Sequence, residues 1–294
     1  MRVLILGASG MLGFQLLKFG SKMSHVSVFG VVRNKASLAN KYEFINPNNI
    51  YEIDDIQNFS GLNEIIESIS PDVIINAIGI VKQSDLASNA IVSLEINSLL
   101  PHKLALICQN VNARFIHIST DCVFDGKKGN YKLNDDSNAL DLYGKSKFLG
   151  EVAYDNSITL RTSIIGHEIS GQNLGLLDWF LNSKSSVLGY TKAIFSGVTT
   201  FELARIIFEN VLPKEHVSGL FQVASLPINK YELLKIVREN YHLNTDIIPS
   251  ENVKIDRSLD GTEFNQVFNY SPPTWPKMIE EFYNDWYLQS DIHV

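Results

Sequence analysis

An apolar run at residues 3–6 leads directly into a glycine-rich segment, which consists of Gly7, Ala8, Ser9, Gly10, Met11, Leu12 and Gly13. Helical spacing of apolar residues begins at Met11, so the segment joins a predicted strand to a predicted helix. In that position glycines allow a tight turn and a close approach to a pyrophosphate, while free amides at the helix start face the phosphates. The segment therefore predicts a dinucleotide site, although its G-x-x-G-x-x-G spacing differs from the commonest fingerprint. A tight strand-to-helix turn without a ligand is the alternative.

The rest of the first half alternates β-branched runs with segments of helical spacing, a pattern typical of a parallel sheet with crossover helices. The predicted strands span residues 3–6, 26–32, 51–53, 72–76, 114–119 and 158–165, and the predicted helices span 11–23, 62–69, 87–110 and 142–153. Beyond residue 166 the pattern is less regular, with predicted helices at 176–181, 201–211, 230–241 and 277–287 and one strand at 220–224. The predicted fold class is α/β, a Rossmann-type doubly wound parallel sheet with a smaller, mixed α/β C-terminal substrate region.

Length and composition exclude several other classes of protein. With 294 residues, of which 45% are hydrophobic and 19% charged, the chain has the composition of a globular protein rather than a disordered or fibrous one. Its net charge of -7 argues against nucleic acid or an anionic membrane as a partner. The N-terminal apolar run is too short for a signal peptide, and no stretch approaches the roughly 18 apolar residues of a membrane span. We therefore expect a soluble, cytoplasmic protein.

The cysteines and histidines indicate neither a disulfide framework nor a metal site. Cys108 and Cys122 are the two cysteines, and the seven histidines are scattered with no H-x-H or H-x-x-x-H pair. We therefore expect no metal and a reducing compartment. Cys122 is interpreted as an inert, partly buried thiol rather than a nucleophile, because no arginine or histidine is near it in sequence.

Arg33 follows the second predicted strand, 20 residues after Gly13. An NAD-preferring site places an acidic residue there, whereas a guanidinium pairs with the 2′-phosphate of NADP. Arg33 therefore favours NADP(H), and a solvated surface arginine is the alternative. Asp54, after the third strand, either accepts from the adenine amino group or caps the next segment. We predict an NADP-binding Rossmann domain at 1–166 and a mainly substrate-binding region at 167–294, some elements of which return to the first domain.

Tyr143 and Lys147 form a Y-x-x-x-K pair in a predicted helix. The spacing places both side chains on one helix face, where the ammonium is expected to lower the phenol pKa and let Tyr143 act as a general acid or base. Thr120 lies at the carboxyl end of a predicted parallel strand, the edge where open α/β sheets collect their active sites. Together the three residues are a more specific signal than the pair alone.

Five segments together resemble the extended short-chain dehydrogenase/reductases: GASGMLG at 7–13, NAIG at 76–79, STDCVFDG at 119–126, YGKSK at 143–147 and LRTSIIG at 160–166. Within that superfamily, STDxVFDG resembles the dTDP-4-dehydrorhamnose reductase (RmlD-like) group. The motifs are dense over the first 166 residues, and beyond them the Arg257 segment and a Trp-Pro helix start are similar. The resemblance implies an NADPH-dependent reductase of a nucleotide-activated 4-keto-6-deoxy sugar, in deoxysugar or polysaccharide precursor biosynthesis.

The resemblance also implies a role for each matching residue. Thr120 would hydrogen-bond the substrate oxygen, Tyr143 would donate the proton to it, and Lys147 would hold the nicotinamide ribose. Asn97 matches the helix asparagine that supports the proton relay. The further cofactor-binding residues would be Asn76, Ala77, Gly79, Ser163 and Ile164. The substrate would be contacted by Thr120, Asp121, Cys122, Asn173, Lys192 and Arg257, although Asp121 also fits a loop cap and the last three also fit surface polar groups.

Three positions depart from the family pattern. Cys122 stands where the family has tyrosine and Ile164 where the rhamnose enzymes have tryptophan, which implies an altered sugar pocket. A different 4-keto-6-deoxy sugar nucleotide, including an N-acetylated one, fits that change. Gln15 replaces the glutamate of a metal-linked dimer contact, so neither the metal nor that dimer is predicted. The chain is expected to be a monomer or a homodimer.

Two other functions fit the same resemblance. The non-catalytic β subunit of methionine adenosyltransferase is similar to this group, which allows a cofactor-binding regulatory subunit. A sugar-nucleotide epimerase shares the fold, but epimerases usually retain NAD through an acidic residue where Arg33 stands.

Overall fold

A seven-stranded parallel sheet forms the centre of the structure, a computed structural model that describes residues 1–38, 41–169, 171 and 175–287. The strands of the chain are β1 (Arg2–Leu6), β2 (Ser27–Val32), β3 (Ile50–Glu52), β4 (Val73–Asn76), β5 (Arg114–Thr120), β6 (Ser157–Thr162), β7 (Ile164–Ile165), β8 (Val187–Phe195), β9 (Val198–Thr199), β10 (Gly219–Gln222), β11 (Ile228–Asn229) and β12 (Ile247–Asp256). The central sheet has the order β10-β6-β5-β4-β1-β2-β3. From β1 the strand order runs outward through β2 and β3 on one side and through β4, β5 and β6 on the other, so it reverses between β1 and β4. Ligands of open α/β sheets bind beyond the carboxyl ends of the strands at such a switch point.

Helices cover both faces of this sheet. They are α1 (Met11–Ser21), α2 (Phe59–Ile69), α3 (Ala90–Leu94), α4 (Leu100–Asn110), α5 (Leu142–Leu149), α6 (Leu176–Leu181), α7 (Thr200–Arg205), α8 (Lys230–Asn240), α9 (Thr262–Phe268) and α10 (Trp275–Tyr287). Alternate residues of β1 point to opposite faces: Val3 and Ile5 pack with α1 and α7, whereas Leu4 and Leu6 pack with α2 and α4. The predicted doubly wound α/β sheet is therefore confirmed.

Helix α5 and strand β6 are both shorter than predicted. Helix α5 ends at Leu149 rather than 153, and at Gly150 the chain passes the α3–α4 connection so closely that a Cβ would lie 1.9 Å from the carbonyl oxygen of Asn97. The strand predicted at 158–165 breaks after Thr162. The carbonyl oxygen of Ser163 accepts a hydrogen bond from the amide of Val198 at 2.9 Å, and the chain continues as β7 beside β9.

The second half contributes both to the central sheet and to a smaller unit. Strand β10 pairs with β6 and completes the central sheet, while β8, β11 and β12 form a three-stranded sheet of their own. The sequence analysis missed β8 and β12; most residues of β12 are exposed, so it lacks the apolar alternation that identifies a strand. Phe180, Phe221 and Phe282 share one hydrophobic core with Val3 and Ile5 of β1. The two halves thus pack directly on each other.

The helical segment Ala90–Asn110 is long and apolar enough to cross a membrane by length and composition. This finding differs from the expectation that no stretch approaches a membrane span. In the structure the segment consists of α3, a π-helical turn (Glu95–Leu99) and α4. Of its most apolar stretch of 18 residues, 44% is buried. Leu100, Leu104 and Cys108 pack in the core against the sheet. The core helix of a soluble protein can have the same length and apolar composition, so this feature is weak evidence for a membrane span.

Candidate active site

The glycine-rich turn lies where β1 ends and α1 begins. The amides of Gly7 and Ala8 both donate to the carbonyl oxygen of Val31, at 3.1 and 3.0 Å, which folds the chain sharply back against β2. Gly7 has φ +81°, a conformation that favours glycine. A Cβ at Gly13 would lie only 2.2 Å from the carbonyl oxygen of Gly7. The turn therefore requires glycine at both positions in order to bring the helix start against the strand.

The residues of this turn fit the pyrophosphate of a dinucleotide. Gly10 is the N-cap of α1, so the cap has no side chain to accept from the first amides of the helix, which is the arrangement that binds anions. Ser9 lies in the turn, and Met11 and Leu12 are the first two residues of α1. Ala77 lies beside the turn, because a Cβ on Gly7 would be 3.2 Å from its carbonyl carbon. The predicted cofactor residues of β1 and β4 thus meet at the switch point.

Arg33 and Asp54 follow the neighbouring strands β2 and β3, and both are exposed. Strand β2 pairs with β3, so the two residues follow adjacent strand ends. Two other side chains cap the segment after β3: Asp55 Oδ1 accepts from the amide of Gln57 at 2.9 Å, and Asn58 caps α2 by accepting from the amide of Gly61. The segment after β3 is therefore capped by side chains other than Asp54.

Helix α5, which carries Tyr143 and Lys147, packs tightly on the loop after β5. Asp141 caps it, since Oδ1 accepts from the amide of Gly144 at 2.8 Å. A Cβ at Gly144 would lie 2.2 Å from the carbonyl oxygen of Cys122. This contact brings Tyr143 close to Thr120, and the nearby Thr120 hydroxyl lowers the pKa of the phenol. The Thr120 Oγ1 also accepts from the amide of Cys122 at 3.1 Å, which fixes its direction.

The environment of Tyr143 keeps its phenol protonated. Burial raises the pKa of Tyr143, and the nearby Cys122 raises it further, while the nearby Thr120 hydroxyl lowers it. The expectation that Lys147 lowers this pKa is therefore wrong for this structure. Lys147 instead donates from Nζ to the carbonyl oxygen of Ile118 at 2.7 Å. A neutral phenol is the form that can donate a proton to a substrate oxygen.

Lys147 and Asn97 lie at the junction of α5, the π-helical turn and the segment after β4. Lys147 is buried, and burial lowers its pKa to about 8. Asn97 accepts at Oδ1 from the amide of Ile80 at 2.8 Å and donates from Nδ2 to Ser146 Oγ at 3.1 Å. Gly79 lies between them, because a Cβ there would be 3.4 Å from Asn97 Oδ1 and 3.9 Å from Lys147 Nζ. Asn97 thus holds the Gly79 segment against the catalytic helix.

Three predicted cofactor residues shape the strand ends. Asn76 is buried, accepts from the amide of Ile78 at 3.0 Å and contacts His117 Nδ1 at 3.2 Å. These bonds define the turn after β4. Ser163 and Ile164 lie where the chain leaves β6 and enters β7, at the same sheet edge.

Charged side chains surround the residues that follow Thr120. Asp121 is buried, and burial raises its pKa while Arg257 opposes that rise. Arg257 donates from Nε to the carbonyl oxygen of Phe124 at 2.9 Å, which places the end of β12 beside this loop. Lys230, the first residue of α8, also faces Asp121 and Cys122. The sequence analysis missed Lys230, since a lysine after a helix cap carries no signal by itself.

The structure does not gather all predicted substrate residues. Lys192 lies on β8 with a half-exposed side chain, and its ion-pair partner at 3.8 Å is Glu251 rather than a member of the Asp121 cluster. Asn173 lies outside the described residues. Asp125 caps the loop after β5, because Oδ1 accepts from the amide of Lys127 at 3.0 Å and from the Tyr131 hydroxyl at 2.8 Å.

The thiols are expected to be unreactive. Burial raises the pKa of Cys122 to about 12, and burial also raises that of Cys108. Because the thiolate is the reactive form, the native protein near neutral pH should react with a disulfide reagent far more slowly than the unfolded chain, by about 100-fold or more. Thiol titration with and without denaturant measures this difference. Rapid labelling of one thiol in the native protein would contradict the burial of Cys122.

Gln15 has a structural role within the chain. Its Nε2 donates to Asp285 Oδ2 at 2.9 Å, and Lys18 and Lys22 pair with the same carboxylate at 3.1 and 2.9 Å. These bonds attach α10 to α1, and the Gln15 and Lys18 side chains are buried in the contact.

Known proteins and solved structures are similar to this chain over most of its length. The dTDP-4-dehydrorhamnose reductase of Aggregatibacter actinomycetemcomitans is 28% identical over 306 residues, covering 95% of this chain and 97% of that protein. A solved structure of a hypothetical dTDP-4-dehydrorhamnose reductase from Sulfolobus tokodaii has a TM-score of 0.75 at 29% identity, covering 93% of this chain and 97% of that one.

The dTDP-4-dehydrorhamnose reductase of Bacillus anthracis, solved in complex with NADP, has a TM-score of 0.76 at 20% identity and covers 97% of this chain and 99% of that one; it shares the fold. A family model described as the RmlD substrate binding domain matches residues 1–287. The chain therefore belongs to the RmlD substrate binding domain family.

Proposed function

We propose that the protein is an NADPH-dependent reductase of the 4-keto group of a nucleotide-activated 6-deoxy sugar. The observation that carries the proposal is the proximity of Thr120 and Tyr143, with Lys147 on the same helix, at the sheet edge that also holds the glycine turn. The relative from A. actinomycetemcomitans, aligned over nearly its full length, bears a reductase name. The regulatory-subunit and epimerase alternatives are not favoured by that relative.

Each residue of the site has its own proposed role in the reduction of the carbonyl. NADPH, when bound, supplies the hydride to the carbonyl carbon. Thr120 and Tyr143 hold the carbonyl oxygen, and Tyr143 gives it the proton that completes the hydroxyl. Lys147, on the same helix as Tyr143, is proposed to hold the nicotinamide ribose with its ammonium. Asn97 keeps the Gly79 segment and α5 together, so that cofactor and proton donor keep a fixed geometry.

The sugar nucleotide is proposed to lie over the loop after β5. Asp121, Cys122, Arg257 and Lys230 converge there, and the last two come from the second half of the chain. This supports a division into an NADP-binding unit at 1–166 and a mainly substrate-binding region at 167–294. Two free cysteines fit a cytoplasmic location. The chain is proposed to be a monomer or a homodimer, which light scattering distinguishes.

Arg33 is proposed to select NADPH over NADH. Its exposed guanidinium after β2 can pair with the 2′-phosphate. We expect Arg33→Ala to raise the KM for NADPH by about 10- to 100-fold, since a hydrogen bond to a charged group contributes roughly 1.5–3 kcal/mol. The KM for NADH should change little. Initial rates with both cofactors measure this, and an equal loss for both would contradict the assignment. Arg2→Ala, at an exposed arginine that starts β1, is the control.

The experiment that tests the function is a turnover assay with dTDP- and UDP-linked 4-keto-6-deoxy sugars. The proposal predicts steady oxidation of NADPH with at least one member of the panel. NADPH binding without turnover on any substrate would favour the regulatory subunit instead. Purified protein that retains NAD and isomerises a sugar without net redox change would favour the epimerase.

A further inference from the structure

Glu151 lies directly behind the catalytic residues, two positions after the end of α5. Ser119 Oγ donates to its Oε1 at 2.7 Å. Arg161 donates from Nε to Oε1 and from Nη2 to Oε2, both at 2.7 Å. Ser119 and Arg161 are register partners on β5 and β6, so the carboxylate bridges the two strands where they approach the active site.

The ion pair between Glu151 and Arg161 is almost fully buried, with side-chain exposures of 7% and 3%. A buried ion pair is weak in its contribution to stability, because desolvation of both charges offsets their attraction. Replacement of such a pair by well-packed apolar residues is often neutral for stability, so the position of these charges beside the site is considered for a further role.

Lys147 connects this pair to the site. Its Nζ donates to the carbonyl oxygen of Ile118, the residue before Ser119. Ser119 in turn bonds Glu151, so the ammonium and the carboxylate are held by consecutive residues of β5. Burial disfavours the charged form of Lys147, and the Glu151 carboxylate opposes this effect.

The other charged or titratable groups around Lys147 do not replace the carboxylate. His117 faces it from β5, and burial holds the pKa of that histidine well below its usual value, so it is neutral. Tyr143 on α5 is a neutral phenol. The contacts from the π-helical turn and from the segment after β4 are the uncharged Asn97 and Gly79.

We propose that Glu151, held in place by Ser119 and Arg161, is a positioning residue that keeps the Lys147 ammonium charged for the cofactor. The carboxylate favours the cationic form of Lys147, and three hydrogen bonds from Ser119 and Arg161 fix its position. The inference rests on the proposed function only in naming the cofactor as the group that Lys147 holds.

The test is an NMR titration of the full-length protein labelled with ¹³C at lysine Cε, with the Lys147 signal assigned from Lys147→Arg. We expect the wild-type signal to titrate near pH 8. Glu151→Gln should lower that midpoint by about one pH unit, since removal of a nearby negative charge disfavours the ammonium. Glu202→Gln is the matched control, because Glu202 is also buried and paired with an arginine, Arg205, but lies on α7 on the opposite face of the sheet from α4.

An unchanged midpoint in Glu151→Gln, or an equal shift in both variants, would overturn the proposal. If the single variant does not fold, the double variant Glu151→Gln with Arg161→Gln removes both buried charges. It should still shift the midpoint down, by less than the single variant, and no shift would again overturn the proposal. The titration needs neither cofactor nor substrate, so a failure of the proposed reductase activity leaves its result interpretable.

Discussion

Replacement of Tyr143 by phenylalanine is expected to reduce kcat by about 10²- to 10⁴-fold, because it removes the general acid. The hydroxyl lies close to that of Thr120, and its pKa is raised by burial, so the wild-type residue is a neutral phenol that can donate a proton. Loss of one hydroxyl should leave the helix and the glycine turn unchanged. We therefore expect NADPH affinity to change less than about threefold. Single-turnover rates and fluorescence titration with NADPH measure the two effects.

The matched control for this variant is Tyr154→Phe. The Tyr154 hydroxyl also contacts a side chain, His102 Nδ1 at 2.6 Å, but on the outer surface of the protein. Its loss should leave kcat within about twofold. Full activity of Tyr143→Phe, or an equal loss in both variants, would show that Tyr143 is not the proton donor.

A single methyl group at Gly13 is expected to abolish NADPH binding and to destabilise the fold. The added Cβ would lie 2.2 Å from the carbonyl oxygen of Gly7 and 2.8 Å from the Cα of Ala8, both backbone atoms that cannot turn aside. The helix start must then move away from the strand, which opens the phosphate site. We expect a loss of about 3 kcal/mol and a fall in Tm of roughly 6 to 12 °C. Calorimetry and NADPH titration measure this.

Gly10→Ala in the same turn is the comparison. A Cβ there would lie 3.3 Å from the carbonyl oxygen of Gly7, a contact that a small adjustment relieves, and the extended backbone at Gly10 suits any residue. Its Tm should remain within about 3 °C of wild type. Equal destabilisation by both substitutions would contradict the view that close packing of helix on strand is what requires Gly13.

Local spacing accounts for the part of the site that could be predicted. Tyr143 and Lys147 share a helix face because they are four residues apart, and Thr120 meets them because β5 ends beside that helix. The glycine turn follows from the strand and helix that flank it. Each of these relations lies within one element or between neighbouring ones. The sequence pattern is therefore sufficient to predict these contacts.

Contacts between distant parts of the chain could not be predicted in this way. Lys230 and Arg257 reach Asp121 from α8 and from the end of β12, and β12 has no apolar alternation to reveal it. The effect of Lys147 on Tyr143 was predicted wrongly because spacing gives no ammonium direction, and Nζ bonds Ile118 instead. Lys147 and Glu151 do stand four residues apart, a signal that could have indicated the carboxylate behind the site.

The most direct test of the proposed reaction is the transfer of deuterium from NADPH labelled at the nicotinamide C4 to a 4-keto-6-deoxy sugar nucleotide. Mass spectrometry and NMR of the product locate the label. The account predicts one deuterium on the sugar C4, one oxidised cofactor for each sugar reduced, and loss of both in Tyr143→Phe. A product without deuterium at C4, or an isomerised sugar formed without net cofactor oxidation, would contradict it.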